Sequence, residues 1–376
     1  VYRDGLLFLH STGMRNAFLG EEAGDLAVQG NSNAAFGYNA LTSLTLGGFN
    51  TAVGAHALQS NASGNQNSAF GILSLASNTA SENSAFGAFS LTSNTTGTGN
   101  AALGWNALGL NATGSFNTAV GSRALDASTS AGHNTAVGYE ALGLNTSGGG
   151  NTALGALALS AGASPGANTA VGYEALQYNT GILNTAVGAG ALRANSTGAT
   201  NVAVGNNAGV NNTTGVANTL VGNAAFYSNA TGGFNTALGQ AALYLQEQGD
   251  DNVAVGSGAL LNFRVGSNNV VIGTNVGTYL DNGSNNVYVA FAGFGPVSES
   301  GVIRLGQPGL HTGAYLAGVS GVTSPSGVPV LVAPDGKLGT VVSSARYKRD
   351  IADLGEASAV VQRLRPVSFR YRDEVL

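Results

Sequence analysis

Cysteine is absent from the 376 residues, so no disulfide staples the chain and thiols say nothing of its compartment. Charge is scarce as well. Asp, Glu, Lys and Arg make up 9%, too few for an ordinary globular surface, and 43% hydrophobic residues exclude a disordered chain. Basic stripes are missing: residues 1–342 hold 7 of the 14 Lys and Arg against 14 of the 19 Asp and Glu, which argues against nucleic acid as a partner. No run of about 18 apolar residues occurs, so no membrane span is expected. The four histidines (His10, His56, His133, His311) lack metal-ligand spacing, and Asp forms no column of the kind calcium-loaded coils require. Neither metal nor cofactor is expected. The chain opens on Val1 rather than Met, so an anchor segment is expected upstream.

What is present in excess is repetition. Asn-Thr-Ala-Val-Gly and its variants recur with their asparagines at Asn16, Asn33, Asn50, Asn67, Asn83, Asn100, Asn117, Asn134, Asn151, Asn168, Asn184, Asn201, Asn218, Asn235, Asn252, Asn269 and Asn286. The spacing of Asn16 and Asn33 is kept throughout, except that Asn67–Asn83 and Asn168–Asn184 are each one position shorter. So strict a period over residues 16–290 predicts an all-β chain, a parallel β-solenoid of about 17 coils. Counting each Asn as position 1, Ala dominates position 3, a larger apolar residue fills position 4, Gly fills position 5, and Ala-Leu follows at positions 8 and 9. Asn near position 12 and Gly near position 15 read as the corner that closes the coil, since both tolerate positive φ. Each coil is expected to hold two short strands, or one strand and a bent segment.

Stacking sets like on like. The position-1 asparagines are expected to form a ladder of amides, with Asn50, Asn117, Asn134, Asn151, Asn168, Asn184 and Asn235 among its rungs. At about 4.8 Å per coil the rod is roughly 75–80 Å long. A coil this small encloses two or three small side chains and leaves the rest of its apolar residues outside, which predicts burial against copies of itself in a parallel homotrimer. The Asn-x-Ala-Val-Gly coil over residues 16–290 resembles the head of trimeric autotransporter adhesins, a β-roll trimerised along its length; the coils of that family are usually slightly shorter than these.

Residues 1–15, with Leu6-Leu7-Phe8-Leu9, read as a lead-in that caps the first coil. From residue 291 the period fails. Short strands split by Gly and Pro suggest a β-rich neck over 291–342, with Pro334-Asp335-Gly336-Lys337 turning a hairpin. Residues 343–376 then hold 7 basic groups; Glu356–Leu364 reads as a short helix and Val367–Tyr371 as a strand. Ser343-Ser344-Ala345-Arg346-Tyr347-Lys348-Arg349-Asp350, followed by Leu364-Arg365-Pro366-Val367-Ser368-Phe369, resembles the start of the endosialidase-type intramolecular chaperone domain of phage tail spikes and fibres. That resemblance implies trimer assembly. It also implies single-turnover self-cleavage between Val342 and Ser343, with Ser343 as nucleophile and Lys348 as its base. More of that domain is expected beyond Leu376.

Other signals are weaker. Glu140 and Glu174 share a repeat position two coils apart, about 10 Å, close to the spacing of a glycosidase pair but without a third polar group beside them in sequence. The Thr column at position 2 reads as a strand preference rather than an ice-binding face. Trp105, Tyr139, Tyr173 and Tyr178 suit either a carbohydrate-stacking surface or trimer packing, and trimer packing is the simpler expectation. The chain thus reads as a trimeric attachment fibre, extracellular, on a cell surface or a virion-like tail, with a glycan or protein receptor and no conventional enzyme activity. A self-associating structural filament and a polysaccharide-degrading spike are the alternatives.

Overall fold

The computed structural model describes residues 2–3, 6–163, 166–291, 296–316, 329–334, 336–340 and 368. It divides into two compact units, residues 1–312 and 313–376. The first is a parallel β-solenoid in which each coil contributes one short strand, from Ala17–Leu19 to Val287–Val289. Like positions pair directly: Thr118 faces Thr135, Ala119 faces Ala136 and Val120 faces Val137, and the same register holds across a shortened step, where Ser68 faces Ser84. The rest of each coil is bent rather than a second strand. No helix occurs among the described residues.

The three strand residues alternate. Position 3 points inward and is fully buried, as at Ala35, Ala52 and Ala136, while positions 2 and 4 point out. Ala and Leu at positions 8 and 9 complete the interior, as at Ala57-Leu58 and Ala175-Leu176. Alanine at position 3 leaves room for the leucine at position 9; where position 3 is larger, as at Phe18 and Leu220, a position-9 glycine of the same or the preceding coil, Gly24 or Gly209, opens the space.

The corners differ from the expectation based on turn chemistry. The asparagines at position 12, such as Asn61, Asn94 and Asn145, are not in the left-handed region, nor are Gly64, Gly97 and Gly114 at position 15, although Gly249, Gly266 and Gly283 at position 15 of later coils do have positive φ. Throughout the stack positive φ falls at Gly of position 5 and recurs at positions 7, 9 and 17, as in Gly54 (φ 134), His56 (φ 60), Leu58 (φ 52) and Gln66 (φ 58). A leucine there costs roughly 1–2 kcal/mol. Its complete burial returns about 1.5–3 kcal/mol, and its N–H bonds the next coil, Leu58 to Ser74 O at 3.1 Å, so stacking outweighs local preference.

Both ends depart from the repeat. At the N-terminal end Leu9–His10 runs antiparallel to Phe18–Leu19, and Phe18 plugs the interior where most later coils have alanine. At the other end the stack runs past the sequence boundary at 290: Ile303–Leu305 pairs in parallel with Val287–Val289. The period does not mark this rung, because Val302 and Arg304 stand where Asn and Ala are expected. Arg304 closes the end with charge-assisted bonds to Glu299 at 2.7 Å through both Nε and Nη2. Its guanidinium lies 5.0 Å over the Phe291 ring, and the Tyr288 hydroxyl donates to the same carboxylate.

Arg304 holds the Glu299 carboxyl below the usual carboxylate range. A depressed folded pKa stabilises above the unfolded value of about 4.3 and is lost as pH falls through the folded value. The protection factors of the amides of residues 303–305, measured against intrinsic exchange at each pH, are therefore expected to fall below about pH 4, and Glu299→Gln is expected to remove that fall. A protection factor in the native chain that does not change across this pH range would contradict the pairing.

In the second unit Val330–Val332 pairs antiparallel with Leu338–Thr340, and Ala333 N–H donates to Lys337 O at 2.9 Å, the expected hairpin. The helix expected over 356–364 and the strand over 367–371 lie outside the described residues, Ser368 aside.

Candidate functional site

Two sets of side chains do more than fill space: the buried amides that join rung to rung, and an outer face that one coil cannot cover. At every step from Asn16 to Asn286 the backbone N–H of the next position-1 asparagine donates to the Oδ1 of the one before, at 2.8–3.1 Å. At the full-length steps the side-chain Nδ2 reaches the same oxygen, as from Asn117 to Asn100 at 3.1 Å. Nδ2 also crosses the coil to the carbonyl at position 15, as from Asn50 to Gly64 O at 2.9 Å. Asn50, Asn117, Asn134, Asn151, Asn168, Asn184 and Asn235 all sit buried in this column. Val302 N–H takes the last acceptor, Asn286 Oδ1, at 3.1 Å.

A second column runs beside it, built from residues that sequence alone reads as a corner. The position-12 asparagines are buried and hydrogen-bonded to one another: Asn94 donates to Asn78 at 2.7 Å, Asn111 to Asn94 at 3.0 Å, Asn195 to Asn179 at 2.6 Å. They share the position-15 carbonyl with the first column, so Gly148 O accepts from both Asn134 and Asn145 at 2.9 Å. Their constant offset from the ladder asparagine, the same from Asn50 to Asn61 as from Asn134 to Asn145, was the available signal. The short coils lose one residue between position 12 and that carbonyl, and Ala80 and Gly181 take over as acceptors. At these two steps Asn83 and Asn184 donate to the neighbouring column, to Asn78 and Asn179 at 3.2 Å.

Ser128 interrupts the second column, and both its Oγ and Asn111 Oδ1 are buried without a hydrogen-bond partner. Ser128→Asn places an amide where one rung is missing. It is expected to stabilise the chain by about 1–2 kcal/mol, read as a rise in Tm. An unchanged or lower Tm would mean that the gap is too narrow for the amide.

Outside, apolar side chains form ridges along the axis. Position 4 exposes Phe36, Phe86, Leu103 and Leu238, and the coil's last position exposes Phe49 and Phe234. Phe70 and Phe86 stack at 4.8 Å on consecutive rungs. The Thr column lies beside the position-4 ridge on the same outward strand face.

Polar neighbours that the sequence did not connect surround Glu140 and Glu174. Glu140 accepts from Arg123 at 2.7 Å and from the Tyr139 hydroxyl at 2.9 Å; Glu174 pairs with Arg193 at 3.2 Å. The Tyr173 hydroxyl, and then Arg193, hold the Glu174 carboxyl below its usual range, the opposite of what a glycosidase general acid requires. Among the described residues no group of His, Cys, Asp and Glu is placed to hold a metal ion, and no helix is long and apolar enough to cross a membrane. Ser343 and Lys348 lie outside the described residues.

Residues 343–376 match the family model described as chaperone of endosialidase. No curated protein and no solved structure matches the chain.

Proposed function

We propose that this chain is one protomer of a homotrimeric, surface-exposed attachment fibre of the phage tail-fibre or spike kind, with residues 343–376 serving its assembly. The observation that carries the reading is the presence in one chain of a β-solenoid rod, its apolar ridges open along the axis, and a chaperone match C-terminal to it in sequence. Ridges of this length call for partners in water, and a threefold axis along the rod sets every coil level with its copies. The antiparallel strand at Leu9–His10 disfavours end-to-end strand addition, which counts against the plain filament.

The assembly segment is also proposed to release itself. Lys348 takes the Ser343 hydroxyl proton, Oγ adds to the Val342 carbonyl carbon, and the C–N bond breaks with the proton passing to the Ser343 amine. Water then hydrolyses the ester and leaves a Val342 carboxylate. Arg346 and Arg349 are neighbours able to lower the lysine pKa for this role.

Light scattering together with intact mass tests both points. The uncut trimer is expected at about 112 kDa, three times the 37.2 kDa chain. A subunit ending at Val342 is expected in the native protein and not in Ser343→Ala. A monomer would overturn the trimer, and a native chain that stays intact would overturn the cleavage.

A further inference from the structure

Charge on this rod is confined to a few places. Between residues 83 and 246 the charged residues are Arg123, Asp126, Glu140, Glu174 and Arg193, and nothing else. All five fall at positions 7 or 10 of their coils, so one side of the rod carries them. They are joined: Arg123 bridges Asp126 at 3.0 Å and Glu140 at 2.7 Å, and Arg193 bridges Glu174 at 3.2 Å. The arginine side chains are 43–47% exposed and their carboxylates 16–25%; pairs this open on the cationic side contribute about 1 kcal/mol or less each, and the flanking coils stack without any. Stability therefore does not explain why they gather here.

The adjoining position 6 carries Trp105, Tyr139 and Tyr173, which are 53%, 51% and 54% exposed. They occupy alternate coils, with Ser122 and Ala156 between them. Two rungs separate the rings by roughly 9.6 Å. Elsewhere the chain stacks aromatics on consecutive rungs, as at Phe70–Phe86 (4.8 Å) and Tyr227–Tyr244 (5.0 Å). Here each ring is about half exposed, and the rung between two rings carries a small residue rather than a stacking partner. Beside them lies a groove of about 250 Å³ between Arg123, Glu140, Leu144, Leu157, Ser160 and Gln177.

We propose that this side of coils 100–200 is a binding site for an uncharged polysaccharide. Open aromatic faces stack against the C–H faces of sugar rings, and planar carboxylate, guanidinium and amide groups beside them bond the hydroxyls. Two arginines against three carboxylates leave a net charge of −1, which disfavours a polyanionic glycan or a nucleic acid. The site deepens the attachment reading and rests on it only for its biological use, since binding itself is measurable on the rod whatever its subunit count.

Trp105 is the single tryptophan, so its emission reports from within the site. The full chain is titrated with neutral cello-, malto-, chito- and manno-oligosaccharides, with heparin as the anionic control, and subunit mass is measured in the same samples. At least one neutral oligosaccharide is expected to shift Trp105 emission at or below about 1 mM. Tyr139→Ala or Glu140→Gln is expected to weaken binding about tenfold, with circular dichroism and subunit mass unchanged. No response to any neutral oligosaccharide, a response to heparin alone, or binding unaffected by both variants would overturn the proposal. So would a Trp105 that acrylamide cannot quench in the assembled protein, which would make this face an interface between protomers. A trimer that fails to form while Trp105 responds would sink the proposed assembly and leave the site standing.

Discussion

Gly138→Ala is expected to break the rod at its middle. Gly138 sits at position 5 with φ 136, and a Cβ built there lies 2.6 Å from both the carbonyl carbon and the oxygen of Gly155 in the next coil. Backbone cannot yield as a flexible side chain does, so the coils must separate or the corner must change its dihedrals. The strain alone is on the order of 1–3 kcal/mol. Separation also breaks the hydrogen bonds between the coil that starts at Asn134 and the one that starts at Asn151, so a total loss above about 4 kcal/mol is expected. The chain itself carries the comparison: Ala290 occupies position 5 of the last periodic coil, and its φ is 52 rather than the 129–145 of the glycines before it. Gly339→Ala is the control, since a Cβ there meets nothing within 4 Å. Hydrogen exchange should show protection lost at Thr135–Val137 and Thr152–Leu154 in Gly138→Ala, while Gly339→Ala stays near native. Native protection in Gly138→Ala would mean that the stack does not need a bare backbone at this corner.

The stack was legible because one interaction repeats at every step from Asn16 to Asn286. A position-1 asparagine in each of the periodic coils, Ala inward at position 3 in most of them and larger residues at position 4 state the period, the strand and its two faces. Three features were not legible, for distinct reasons. Leu58 and its equivalents adopt left-handed φ that local preference assigns to Asn and Gly, because burial and a bond to the next coil outweigh a small local cost. The position-12 asparagines look like corner residues until neighbouring coils place them against each other. The rung at Ile303–Leu305 carries neither Asn nor Ala, so only backbone pairing identifies it. On the outer face, Glu140 and Glu174 drew notice as a carboxylate pair. Their arginine partners, Arg123 and Arg193, stand a full coil or more away in sequence, and only coiling brings them together.

Asn134→Asp tests the ladder through a change of one atom, and its pH dependence has a defined sign. Asn134 Nδ2 donates to Asn117 Oδ1 at 3.3 Å and to Gly148 O at 2.9 Å, while its Oδ1 accepts from Asn151 N at 2.9 Å and Nδ2 at 3.1 Å. Aspartate keeps the acceptor but turns a bare oxygen toward two other oxygens in a buried site. Protonation restores one donor, so the folded pKa of the new carboxyl must rise above its unfolded value of about 3.9. Full stability is then present below that value and is lost as pH rises through the folded pKa. Asn134→Asp is expected to lose more than about 3 kcal/mol at pH 7 and to recover most of it near pH 4. Asn134→Ala leaves Asn151 N–H buried without its acceptor at any pH, so a loss of roughly 3 kcal/mol that does not vary with pH is expected. The Glu299–Arg304 pair shifts native stability in the opposite direction over the acid range, so the two contributions separate by sign in one set of melts. If Asn134→Asp were as stable as the native chain at pH 7, the ladder amides would have no part in holding the coils together. Shape and the apolar interior would then carry the stack alone.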